Sequence, residues 1–413
     1  MTTNPQGSEK YDIGLEEALS KVLGVLKQLS PVSLPVEEVC DRVAAEDLFA
    51  TVDCPSATSS LKDGYAVISK DLKEASEARP VRLRVAGTSP AGDLTDRKIE
   101  PGFAIKVLTG ARLPMGADAV VAIEDTREQD DHLLCFTNVP SGQNVLFRGT
   151  DVASGERLAI KGEILTPGLT GLLAAGGVHR VRVIAMPRVT VVATGDEVVA
   201  PGRDLQSGQL YASNLVTLYS WLRHFRMQGK TTVVGDHPDA IREALSAALS
   251  WADVLLTSGG AWKSERDLTV RVLEEMGCRV IFHRVRMGPG KAVAFGMIGQ
   301  KAAFCLPGGP PSNEMAFLQI ALPGILQMGG RPPTPFQLKK VRLAETVGGD
   351  PHWTQFFHAV IEKRGSEWWA IPQQLKSRLQ SQARAEALIR VPEGVSVLKA
   401  GDWIEVQMLR LLV

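Results

Sequence analysis

Four short loops in this sequence pair small residues with groups able to hold an anion. Thr194-Gly195-Asp196-Glu197 follows the apolar run 189–193, and Ser258-Gly259-Gly260 follows 254–257. Gly235-Asp236-His237-Pro238 follows 231–234, and Pro307-Gly308-Gly309-Pro310-Pro311-Ser312 follows 302–306. Glycine lets backbone approach a ligand closely, and the free N–H groups of a following helix favour negative charge. One such loop is most simply a chain reversal; four together suit a phosphate-bearing ligand. Gly288-Pro289-Gly290-Lys291 sets an ammonium on a tight turn, where it can meet a phosphate or an oxyanion as a point charge. On spacing alone a solvated turn lysine explains it as well. Carboxylates recur beside small residues: Asp63, Asp151, Asp196, Glu197, Asp236 and Asp267. Singly they read as turn pairs or, for Asp236 before Pro238, a helix cap. As a cluster they could hold Mg²⁺, which takes few carboxylates and shares the rest of its shell with ligand phosphates and water.

Other chemistries lack their motifs. There is no GxGxxG opening a sheet, no GxxxxGK[ST], no HExxH and no GxSxG. The five cysteines form no CxxC pair, which argues against zinc and suits a reducing compartment. Lys+Arg and Asp+Glu balance at 46 each, so no global field advertises nucleic acid or an anionic membrane. The start MTTNPQGSEK has no apolar signal core, and no apolar run is long enough to span a bilayer. The expectation is a soluble cytoplasmic protein that binds neither nucleic acid nor membrane.

The elements that must position these loops follow from periodicity. Leu15, Leu19, Val22, Leu23 and Leu26 recur at helical spacing, and 36–48 also reads as a helix. From about Pro55 to Asn144, β-rich runs broken by Gly, Pro and Asp predict a small all-β module, with a barrel as one form. Near 149–178, helical and turn-rich sequence returns. Residues 188–330 alternate strand and helix: strands at 189–193, 231–234, 254–257, 280–282 and 302–306, helices at 215–225, 240–249, 268–276 and 314–326. That alternation predicts a largely parallel sheet covered on both faces, with ligands at the carboxyl ends of its strands. Gly329-Gly330-Arg331-Pro332-Pro333 reads as a linker to a last set of short strands. The fold class is therefore multidomain α/β plus β.

Taken in order, the loops resemble the molybdopterin molybdenumtransferase family, that of MoeA and the gephyrin E domain. The resemblance rests on Lys62-Asp63-Gly64-Tyr65-Ala66, Leu108-Thr109-Gly110-Ala111, Arg148-Gly149-Thr150-Asp151, Ala193-Thr194-Gly195-Asp196-Glu197, Gly235-Asp236, Ser258-Gly259-Gly260 with Asp267, Pro289-Gly290-Lys291 and Leu306-Pro307-Gly308-Gly309-Pro310. It implies a linking domain from 11–55 with 148–183, an inserted β module at 56–147, an α/β molybdopterin-binding domain at 184–330 and a C-terminal β-barrel at 331–413. The N-terminal helix would pack either in the linking domain or on the α/β domain. The implied reaction inserts molybdate into adenylylated molybdopterin, releases AMP and uses Mg²⁺. Asp63, Glu197, Asp236, Asp267 and Lys291 would be catalytic. Thr109, Thr194, Gly195, Asp196, Ser258, Gly259, Gly260, Lys263, Pro307, Gly308, Pro310 and Ser377 would bind the ligand. Asp63, Asp151, Glu197 and Asp236 would serve the metal. The family resemblance further implies a homodimer, with molybdopterin adenylyltransferase and molybdoenzyme apoproteins as partners.

The sequence also departs from that family. Gly288 stands where a first lysine is usual, Ala261-Trp262-Lys263-Ser264 follows the Ser-Gly-Gly loop, and Lys62 precedes Asp63. His358 falls where an arginine is expected. One expectation is that cationic charge moves to another wall, with Lys263 facing the oxyanion and Trp262 narrowing the pocket. Two other readings compete: an adenylyltransferase acting on molybdopterin, and a non-catalytic pterin carrier or scaffold.

Overall fold

The computed structural model describes residues 12–92, 95–259, 268–373 and 377–410. They fall into two compact units, one spanning Pro31–Val183 and the other formed by the segments up to Ser30 and from Ile184 onward.

The second unit begins with helix α1, Leu15–Val25, whose buried Leu15, Ala18 and Val22 are spaced to lie on one face. That face joins Phe304, Phe317, Leu322 and Ile325 in the largest apolar core. Gly324 permits the approach: a Cβ there would collide with Val22 and Leu26. Gln327 Nε2 donates to the carbonyls of Leu23 and Leu26, both at 2.7 Å, and so satisfies orphan acceptors at the end of α1.

The α/β sheet follows from β1 (Arg188–Thr194), α2 (Ser213–His224), β2 (Gln228–Val234), α3 (Pro238–Trp251), β3 (Val254–Ser258), α4 (Leu268–Glu275) and β4 (Arg279–His283). The chain continues through β5 (Val285–Gly288), β6 (Ala294–Ile298) and β7 (Lys301–Leu306). The strand order is β2-β1-β3-β7-β6-β4. The first four are parallel, and β6 and β4 run antiparallel at one edge. Strand β1 is rich in valine and buried from Val189 to Thr194, as both its faces are covered. Val189, Val191 and Ala193 enter the core of α1, whereas Val192 joins Ile241, Leu245 and Leu273 on the opposite face.

The predicted helix at 314–326 begins four residues earlier. It comprises α5 (Pro310–Ala316), a π turn at Phe317–Ala321 and α6 (Leu322–Met328). Pro310 fits the first turn because its missing N–H has no partner to lose. Pro323 cannot donate and crowds the preceding turn, which accounts for the widened ladder just before it.

Beyond residue 330, β8 (Leu338–Leu343), β9 (Thr354–Arg364), β10 (Glu367–Pro372), the short helix α7 (Arg378–Arg384), β11 (Ala387–Val391) and β12 (Trp403–Met408) complete the unit. Pairing runs β9-β10-β8-β12-β11 and returns from β11 to β9, closing a five-stranded barrel. Parallel pairing of β5 with β9 extends this sheet, matching Met287 with Thr354 and Gly288 with Gln355.

In the Pro31–Val183 unit a six-stranded mixed sheet runs in the order 119–122, 64–67, 103–107, 81–89, 132–135, 126–129. The barrel form admitted for this module is not what forms: the outermost strands, Ala119–Ala122 and Thr126–Gln129, do not pair with each other. Two apolar cores flank the sheet, one around Tyr65 and Leu83, the other around Ile105 and Val120. A further core gathers Val39, Ala44, Leu48, Leu158, Leu165 and Val183.

The helix expected at 36–48 is absent. Only Val36–Glu38 is helical, as a 3₁₀ turn. Asp41 takes a positive φ of 63°, which ends any helix. The backbone N–H groups of Asp41, Ala44 and Ala45 instead donate to Leu165, Glu163 and Arg182. Apolar spacing at 36, 39, 43, 44 and 48 mimics a helical face, but pairing with a segment over a hundred residues away satisfies the same groups and buries the same side chains.

Candidate functional site

Three of the four loops converge at the carboxyl edge of the parallel sheet. A cavity of about 590 Å³ there is lined by Thr194, Glu197, Tyr211, Asn214, Ser258, Gly259, Gly308, Pro310, Arg378 and Leu379 among others. The approach depends on glycine. Gly259 has φ 103°, and a Cβ on it would lie 2.7 Å from the Thr194 carbonyl oxygen. Its N–H donates to the Leu306 carbonyl at 3.2 Å, so the ends of β3 and β7 are tied together.

Two asparagines that sequence reasoning missed lock these loops. Asn214 Nδ2 donates to Ser258 Oγ at 3.1 Å and to the Gly308 carbonyl at 2.8 Å. Asn313 Nδ2 donates to the same hydroxyl at 3.1 Å and to the Pro307 carbonyl at 2.8 Å. Ser258 Oγ thus accepts from both neighbours, which leaves its own proton to be donated elsewhere. A signal existed for Asn313: it is an amide at the head of a largely apolar run, 315–328.

The Thr194–Glu197 loop carries carboxylates on both sides. Asp196 Oδ1 accepts from the Asp236 N–H at 2.9 Å, joining the tips of β1 and β2. A Cβ at Gly235 would sit 2.8 Å from that oxygen. Gly195 and Asp196 line a neighbouring hollow of about 550 Å³ with Arg203, Thr231 and Gly235. The cap position of helix α3 is His237, one residue after Asp236, and its side chain makes no cap bond.

The remaining expected residues are placed as follows. Lys291 does not line the 590 Å³ cavity; its ammonium lies 4.4 Å from the Trp353 ring centroid. Ser377 caps α7, its hydroxyl accepting from the Gln380 N–H at 3.3 Å, and the next residue, Arg378, brings the cation into the cavity. His358 Nε2 lies 3.2 Å from Glu314 Oε2, with both side chains nearly buried, and the other Glu314 oxygen accepts from Trp221 Nε1 at 3.1 Å. Gly260, Trp262, Lys263 and Asp267 lie outside the described residues, so the expected relocation of charge to Lys263 does too.

In the other unit, Asp63 Oδ1 accepts from the Thr109 N–H at 2.7 Å and from its hydroxyl at 2.8 Å. The Thr109 N–H, followed by the hydroxyl, holds the Asp63 carboxyl below its ordinary range against a small opposing effect of burial. Asp151 lies on a separate turn, its N–H donating to the Cys54 carbonyl at 3.0 Å. Among the described residues, no three His, Cys, Asp or Glu side chains are grouped to hold a metal ion. Also among them, no helix is long and apolar enough to cross a membrane.

A parallel sheet with glycine loops at its carboxyl edge, joined to a closed barrel, defines a multidomain α/β ligand-binding protein. Comparison with known proteins makes this specific. Residues 13–177 match the MoeA N-terminal region (domains I and II), 190–327 the "Probable molybdopterin binding domain", and 340–409 the MoeA C-terminal region (domain IV). The molybdopterin molybdenumtransferase of Haemophilus influenzae is 34% identical over 81% of this chain and 83% of its own length. That of Bacillus subtilis is 30% identical over 97% and 95%. A molybdopterin biosynthesis MoeA protein from Pyrococcus horikosii is 33% identical, covers 97% of this chain and 100% of its own, and gives a TM-score of 0.81. The chain belongs to the MoeA family of molybdopterin molybdenumtransferases, a transferase family of molybdenum cofactor biosynthesis.

Proposed function

We propose that this chain transfers molybdenum from molybdate to adenylylated molybdopterin, releasing AMP with the assistance of Mg²⁺. The observation that carries the reading is the cavity built from the Thr194, Ser258–Gly259 and Gly308–Pro310 loops at the carboxyl edge of the sheet. Its glycine backbone can come close to a pyrophosphate, Ser258 has a proton to donate, and Arg378 supplies a fixed positive charge. Glu197 at the cavity and Asp196 beside it offer hard oxygen donors of the kind Mg²⁺ prefers. They would hold the ion with ligand phosphates completing its shell, and the ion would neutralise charge on the pyrophosphate. Kinship with the family supports a cytoplasmic homodimer that receives its substrate from a molybdopterin adenylyltransferase and passes its product to molybdoenzyme apoproteins.

The test is incubation of the purified chain with adenylylated molybdopterin, Mg²⁺ and molybdate, following AMP. Molybdate-dependent AMP release is expected. Tight pterin binding without AMP release would replace this reading with a carrier, and ATP consumption with unadenylylated molybdopterin would replace it with an adenylyltransferase.

A further inference from the structure

Lys291 is fixed by its backbone before its side chain is considered. The Val285 N–H donates to the Lys291 carbonyl at 3.0 Å, closing the turn after β5. Gly290, at φ 121°, is buried against α5, where a Cβ would lie 3.5 Å from Met315 Cβ. Trp353 is fixed with equal economy. Its N–H donates to the Asp350 carbonyl at 2.9 Å. Asp350 Oδ1 in turn accepts from the His352 N–H at 2.9 Å, and Gln355 Oε1 from the Asp350 N–H at 2.7 Å. The parallel match of Met287 with Thr354 and Gly288 with Gln355 then brings the residue before β9 beside the turn after β5. The result is an ammonium 4.4 Å from an indole centroid.

We propose that Trp353 is a positioning residue for Lys291, holding its ammonium in place for the oxyanion substrate while leaving its charge intact. This deepens the function proposed above and rests on it. Lysine carries its charge on a flexible four-carbon stem, so presenting it in one place costs side-chain entropy. A carboxylate partner would fix the stem but cancel the charge. An aromatic face attracts the cation through its quadrupole and carries no net charge. Among the described residues Lys291 makes no ion pair, so its positive charge remains available to an anion. The point is sharpened by Gly288, since no second lysine stands at the head of this turn. A Cβ at Gly288 would meet only Gln355 Cγ, at 3.7 Å, so space for a side chain is not what excludes it.

The experiment measures molybdate binding to the full chain by calorimetry with molybdate alone, and the KM and kcat for molybdate in AMP release. Trp353→Ala should weaken molybdate binding and raise its KM by roughly 3- to 30-fold, the range of a partly desolvated cation–π contact, with kcat within about twofold. Trp353→Phe should recover most of the loss. Site-specific replacement of Trp353 by mono- to tetrafluorotryptophan should weaken binding in graded steps, a response that packing alone would not produce. As a readout independent of turnover, Lys291 should be acylated faster by an amine-reactive reagent in Trp353→Ala, read by peptide mass spectrometry. Molybdate-dependent AMP release that is indifferent to Trp353 would overturn this inference and leave the function standing. A Phe variant as weak as Ala, or an ungraded fluorine series, would overturn it as well. Failure of the wild-type chain to bind molybdate would overturn both.

Discussion

Replacing Gly259 by alanine tests whether backbone proximity builds the cavity. Its φ of 103° lies where an L side chain is strained, and the new Cβ would stand 2.7 Å from the Thr194 carbonyl oxygen, a backbone atom that cannot rotate away. The left-handed backbone costs about 1–2 kcal/mol. Relieving the contact requires β1 and β3 to part by several tenths of an ångström, an overpacking cost of about 1–3 kcal/mol. The sum, about 2–5 kcal/mol, should lower the urea midpoint of the α/β unit by roughly 1–2.5 M for a slope near 2 kcal/mol/M. The ligand should suffer too. Displacing one backbone N–H from a phosphate oxygen forfeits a charge-assisted bond of about 1.5–3 kcal/mol, so adenylylated molybdopterin should bind roughly tenfold or more weakly. Gly308→Ala is the control for stability. Its φ lies outside the left-handed region, and its Cβ would meet only Gly259 Cα at an ordinary 3.8 Å. Urea unfolding by circular dichroism and calorimetric titration measure both variants. If Gly259→Ala unfolds together with Gly308→Ala and binds like the wild type, close approach of these two loops is not what forms the site.

Two further outcomes follow from named contacts. Asn313→Asp should cost about 2–4 kcal/mol at neutral pH, because a buried acceptor replaces the donor facing the Pro307 carbonyl, and the variant should regain stability as pH falls and the new acid protonates; urea midpoints across pH check the sign. Asp253→Asn should cost about 1–2 kcal/mol by opening the fork with the Arg188 guanidinium at the base of β1. Although burial opposes it, the bonds from Arg188 hold the Asp253 carboxyl below its ordinary range. The difference from the wild type should therefore be constant above about pH 4 and shrink as pH falls through the lowered folded value, which denaturation from neutral to acid pH would read.

The order of elements was legible because periodicity reports burial. The valines of β1 read as a strand covered on both faces, and the loops at strand ends read as ligand loops because their glycines stand at the sheet's carboxyl edge. What stayed hidden depends on partners distant in sequence. The segment 36–48 has a helical spacing, yet its backbone pairs with residues 163–182, and no local pattern announces that. Asn214 looked like an ordinary polar residue, and the role of Asn313 was only hinted at, since both converge on the Ser258 hydroxyl at the end of another strand. Lys291 was legible as a cation on a tight turn, but its place beside the Trp353 ring was not, since the parallel pairing of β5 with β9 brings that ring from more than sixty residues away. Arg378 at the cavity was not legible, since its place there follows from the helix that Ser377 caps.

The placement of α1 carries a demand on how the molecule comes into being. Its partners, from Phe304 to Ile325, leave the ribosome about 300 residues later, which at roughly 5–20 residues per second is a delay of roughly 15–60 s. During that interval Pro31–Val183, with cores of its own, can collapse without waiting, while a greasy helix of eleven residues trails upstream with nowhere to go. Nascent chains stalled before residue 304 should therefore be held by chaperones at α1, and the mature α/β core closes only when that helix meets a segment made about 300 residues after it.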